Sequence, residues 1–162
     1  MYRLLQLKNL ILIWLFLTVS CAPAPSQAST PVTDKELDAA IEEARGSMDT
    51  LFQAMLAPKP SYDFLGVKVR FTTRDGGYDD NWVEPMDYYD GRFTIRMMDG
   101  LTYNTNLHTD HTLQVPLKKV VDWMIVEKDG TLIGGYTIRL AYEHMSSDEK
   151  KEFLRVTKYK MK

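Results

Sequence analysis

The chain has 162 residues, with 20 Lys or Arg against 22 Asp or Glu and a formal net charge of −2. That length suits one domain with a sizeable core, and the balance excludes the basic face of a nucleic-acid binder. A single cysteine excludes any intramolecular disulfide.

Arg3 and Lys8 precede the apolar run Leu10 to Leu17, which ends in Thr18-Val19-Ser20-Cys21. A positive start, a short apolar core and small residues before a cleavage position predict an export signal over residues 1–20. The run is far below the roughly 18 apolar residues of a spanning helix. Its Thr-Val-Ser-Cys ending resembles the lipobox of bacterial lipoproteins, which implies acylation of Cys21 as the mature N-terminus. Several acyl chains there give stable anchoring where one is marginal. Ala22 after the cysteine implies, by the same resemblance, the outer membrane and a domain facing the periplasm. The alternative is ordinary cleavage after Ala24 or Ala28, giving a secreted periplasmic protein. Losing Arg3 and Lys8 with the leader takes the net charge from −2 to −4.

Residues 21–32 then read as the lipidated cysteine and a proline-punctuated flexible tether. Thr33 with Glu36 is a capping box. Behind it Leu37, Ala40, Ile41, Ala44, Met48, Leu51, Phe52 and Met55 recur at helical spacing, predicting one amphipathic helix of about six turns ended by Pro58 and Pro60. From Phe64 the period becomes two: Val67, Val69 and Phe71 alternate with Lys68, Arg70 and Thr72. Asp75-Gly76-Gly77 turns the chain into a partner strand, Asn81 to Glu84, ended by Pro85. Tyr89-Asp90-Gly91 turns it again into the Phe93–Met97 strand, and Asp99-Gly100 precedes Leu101 to Tyr103.

Residues 104–111 read as a polar loop and Thr112 to Val115 as a short strand. Val120 to Glu127 and Thr131 to Ala141 predict a hairpin around Asp129-Gly130, with Gly134-Gly135 as a bulge or close approach. Ser146 with Glu149 opens a short helix to about Tyr159. The expected architecture is α+β over residues 33–159, a single domain. An amphipathic N-terminal helix packs on a curved antiparallel sheet of about five to six strands, and a short C-terminal helix follows.

Phe64-Leu65-Gly66-Val67-Lys68-Val69, Trp82-Val83, Asp122-Trp123-Met124 and Gly134-Gly135-Tyr136-Thr137-Ile138-Arg139 occur in that order. The set resembles the YegJ-like family, the bacterial domain of unknown function 2314, over residues 37–142. The resemblance implies an exported domain architecture and no established reaction. From the residues alone, Trp123 and Ile125 share one strand face and Asp122, Met124 and Val126 the other. Asp122 and Arg139 are expected to form a buried structural ion pair across the last hairpin.

The chemistry of the remaining residues is sparse. No serine lies in a nucleophile motif, no glycine loop precedes a phosphate-binding helix, and no cofactor is read. His108, Asp110 and His111 are weak candidates for a metal site, with a solvated loop as the plainer reading. Asp79, Asp80, Glu84 and Asp90 are weak candidates for paired acid–base hydrolysis. Trp82, Tyr88, Tyr89 and Tyr103 are expected to offer an aromatic surface for a protein or glycan partner. The leading expectation is a non-enzymatic envelope lipoprotein that touches the membrane through its lipid and binds an unknown envelope protein or glycan. The alternatives are a metal- or carboxylate-dependent hydrolase of an envelope polymer and an immunity or inhibitor protein.

Overall fold

The computed structural model describes residues 28–57, 62–73, 75–96 and 112–161. Cys21, the leader, most of the tether, Tyr103, His108, Asp110 and His111 lie outside the described residues. Thr33 caps α1 (Asp34–Gly46) as expected: its hydroxyl accepts from the Glu36 N–H and the Glu36 carboxylate accepts from the Thr33 N–H. Such a cap contributes about 1 kcal/mol.

The apolar helical period runs on through Met48 and Leu51, but the helix itself breaks. Ser47 separates α1 from α2 (Met48–Met55), so the single six-turn helix is corrected to two. The physical reason lies across the core. The Ala44 carbonyl, which takes the Ser47 N–H and hydroxyl, also accepts at 2.9 Å from the Trp123 indole N–H, which reaches the Ser47 hydroxyl at 3.1 Å. Arg45 fastens the same turn to the carbonyls of Lys118 and Val120.

The sheet is antiparallel and open, in the order β4-β3-β2-β1-β5-β6. Its strands are β1 (Tyr62–Thr72), β2 (Tyr78–Tyr89), β3 (Arg92–Arg96), β4 (Thr112–Pro116), β5 (Val120–Glu127) and β6 (Leu132–Gly134). A short 3₁₀ turn, Leu117–Lys119, joins β4 to β5. β2 does not stop at Pro85. Residues 78–83 pair with β1 and residues 84–89 with β3, so Pro85 sits where the strand has left its first neighbour. A register shift between Pro85 and Asp87 marks a bulge there.

Val67, Val69, Val83, Phe93, Ile95, Trp123 and Ile125 pack with Ala44, Met48 and Leu51 of the helices in the main core. Met124, Val126 and Leu132 form a second cluster with Phe64, Trp82, Ile138 and Tyr159. β5 is therefore buried on both faces, with Trp123 and Ile125 on one and Asp122, Met124 and Val126 on the other, as the alternation predicts.

The expected last strand is the largest correction. Only Leu132–Gly134 is strand; α3 (Tyr136–His144) follows at once, and then α4 (Ser147–Thr157), the expected short C-terminal helix with its Ser146–Glu149 capping box. Gly134 and Gly135 are both left-handed (φ 68° and 67°) and turn the chain out of the sheet. The segment after α4 returns to the outer edge of β6. Lys160 N–H donates to the Gly130 carbonyl at 2.8 Å, and Thr131 and Lys160 form a parallel bridge. Among the described residues, no helix is long and apolar enough to cross a membrane.

Candidate functional site

The residues with the most chemistry meet where β5, β6 and α3 join. Asp122 is fully buried and its carboxylate accepts four hydrogen bonds. Oδ1 takes the N–H groups of Trp123 (2.8 Å) and Tyr136 (3.1 Å); Oδ2 takes the Thr137 N–H (2.8 Å) and hydroxyl (2.7 Å). Tyr136 and Thr137 are the first residues of α3, whose own N-cap position is Gly135 and has no side chain to offer. Asp122 thus caps α3 from a neighbouring strand, a negative group at the positive end of a helix. Burial pushes its carboxyl above the ordinary value, and the four donors oppose that shift.

The four hydrogen bonds that Asp122 accepts come from Trp123, Tyr136 and Thr137 rather than from Arg139. Arg139 Nε donates to the Gly134 carbonyl at 2.8 Å and Nη2 to the Leu132 carbonyl at 2.6 Å. The two residues hold the same turn from opposite sides, each through backbone. The Gly135 N–H donates to the Trp123 carbonyl at 2.7 Å, and a Cβ on Gly134 would meet that carbonyl oxygen at 2.5 Å. Only glycine fits there.

Beside this corner Lys68 extends to the Thr137 hydroxyl (3.3 Å) and lies 5.9 Å from the centre of the Trp82 ring. Two residues along the strand, Arg70 grips Asp80 with two bonds of 2.8 Å, and Glu84 pairs with Arg96 at 3.1 Å. Two of the four weak acid–base candidates are therefore in ion pairs. Among the described residues no three His, Cys, Asp or Glu side chains gather as a metal site would need.

The expected aromatic surface is dispersed. The bulge in β2 puts Tyr88 opposite Phe93, where it stacks on Phe52 of α2 with ring centres 4.5 Å apart. Trp82 packs instead in the second cluster, with Met124 and Val126. Among the described aromatics of that stretch, Tyr78 and Tyr89 stand clear, 71% and 82% exposed at opposite ends of β2.

Two features escape sequence reasoning. The first is a latch on the incoming chain. The Thr30 N–H donates to the His144 carbonyl at 2.9 Å, the Thr30 hydroxyl lies 3.0 Å from His144 Nδ1, and His144 Nε2 is 3.3 Å from Glu36 Oε1. The hydrogen bonds from Thr33, then the His144 contact, hold the Glu36 carboxyl below its usual range. The second is an apolar ledge at the far end of the helical pair, where Leu56 is 78% and Met86 46% exposed. Pro85 inside a strand was the only sequence signal for it, because a bulge re-aims the residue that follows.

A family model described as an uncharacterised protein conserved in bacteria (DUF2314) matches residues 34–158, and the chain belongs to that family. No curated protein and no solved structure matches it.

Proposed function

We propose that this DUF2314 member is a non-enzymatic binding module of the bacterial envelope, tethered by a lipid on Cys21 and facing the periplasm from the outer membrane. The observation that carries the binding half is how polarity is distributed. Asp122, Thr137, Lys68 and Arg139 are engaged with one another or with backbone inside the scaffold, whereas the exposed end of α2 offers Leu56 beside Met86. The tether half is supported by the leader pattern before Cys21 and by the short span from Cys21 to the Thr30 latch. Nine residue steps reach at most about 30 Å, so the domain would stay close to its membrane.

Expression in a Gram-negative host followed by mass spectrometry of the N-terminus tests the tether. The expected species begins at a triacylated Cys21 in the envelope fraction, and Cys21→Ser abolishes it. Recovery of an unmodified chain starting at Met1 from the cytosol overturns the reading.

A further inference from the structure

The ledge has a definite chemistry. Two shallow grooves meet over Met55 and Met86, one of about 390 Å³ beside Tyr62, Phe64 and Pro85, the other of about 240 Å³ beside Phe52 and Tyr88. Methionine side chains adapt their shape to a partner. Among the described residues, every charged one lining either groove is acidic: Asp63, Glu84 and Asp87. Glu84 is paired with Arg96, while Asp63 and Asp87 have no cation partner among the described residues.

We propose that this ledge docks an apolar segment of a protein partner flanked by Lys or Arg. Leu56 and Met86 supply the apolar contact, and Asp63 and Asp87 select the flanking charge. A second copy of the chain fits poorly, because a two-fold contact would bring the same carboxylates together. An anionic lipid surface would be repelled by them. The α1–α2 pair leads from the Thr30 latch to Leu56, so the ledge stands at the end of the helices away from the tether. The partner's envelope location rests on the function proposed above; the chemistry of the ledge does not.

The test uses the full chain in phosphatidylcholine nanodiscs and a fluorescein-labelled peptide, Lys-Arg-Leu-Met-Leu-Phe-Leu-Arg-Lys, read by anisotropy against empty nanodiscs. Leu56→Asp and Met86→Asp are each expected to weaken binding by about tenfold or more. A peptide with Glu in place of every Lys and Arg is expected to bind at least about tenfold more weakly, a comparison that needs no variant to fold. Val156→Asp, an exposed apolar site on α4, leaves binding unchanged. The proposal is overturned by equal binding of both peptides, by ledge variants that bind like the parent, or by no saturation at millimolar peptide. It is equally overturned if Leu56→Asp instead disperses a dimer in sedimentation or releases the chain from phosphatidylglycerol vesicles. The same peptide titration on the Cys21→Ser chain without nanodiscs is expected to give the same affinity, so failure here and failure of the tether are told apart.

Discussion

The β5–β6–α3 corner and the ledge at the end of α2 occupy one small domain and are built in opposite ways. In the corner the charged groups are partnered: four donors on Asp122, two carbonyls on Arg139, a hydroxyl for Lys68. Glycines let the backbones close to contact distance. At the ledge Leu56 and Met86 face outward beside three carboxylates, two of them without a cation partner among the described residues. The residues that carry the family resemblance fall mainly in the corner, so what they specify is a way of turning a strand into a helix.

That contrast breaks first if the corner tolerates change. Asp122→Ala leaves three buried N–H groups unpaired, at about 1–3 kcal/mol each. A loss of about 3–5 kcal/mol in urea unfolding is expected, with early hydrogen exchange in α3. A loss below about 1 kcal/mol would mean that Asp122 is not the cap. Gly134→Ala forces a left-handed backbone and a clash with the Trp123 carbonyl, and about 2–3 kcal/mol should vanish from the same measurement. Trp123→Phe removes the bonds to Ala44 and Ser47 and shrinks a fully buried side chain, so about 2–3 kcal/mol is expected.

Acid sharpens the picture further. Asp122 is raised above the ordinary 3.8 in the fold, so its contribution to stability is present below that value and lost as pH rises through its folded value. Asp129 is exposed and held well below 3.8 by Lys160 and then Thr131; its contribution is present above 3.8 and lost as pH falls toward its folded value. The melting-temperature gap between parent and Asp122→Asn should therefore widen on acidification. For Asp129→Asn it should begin to narrow once pH drops below about 4 and go on narrowing with further acidification. Two gaps moving in the same direction would contradict the assignment. Smallest of all is Leu56→Asp, expected to change stability by no more than about 0.5 kcal/mol while altering the surface.

Much of the fold was legible because periodicity and local capping are local facts. Thr33 with Glu36, the alternation around Val67, and the all-apolar face of Val120 to Val126 predict their elements directly. Tyr136-Thr137-Ile138 reads as strand, since aromatic and β-branched residues favour it. It is helix because a carboxylate fourteen residues earlier caps its first turn, a contact that no window of sequence contains. The break at Ser47 was hidden for the same reason, since its partner is the indole of Trp123. The exposed pair Leu56 and Met86 was illegible too: one ends an amphipathic helix, the other follows a proline, and only packing decides that neither is covered.

The return of Tyr159 to Met161 along β6 has a consequence for synthesis. Strand β6 emerges from the ribosome with its outer edge bare, and Gly130 and Leu132 find their hydrogen-bond partners only after Lys160 has been made. The outer border of β6 is therefore fastened only by residues made after α4. A nascent chain stalled in α4 would carry an open border ready to pair with another strand.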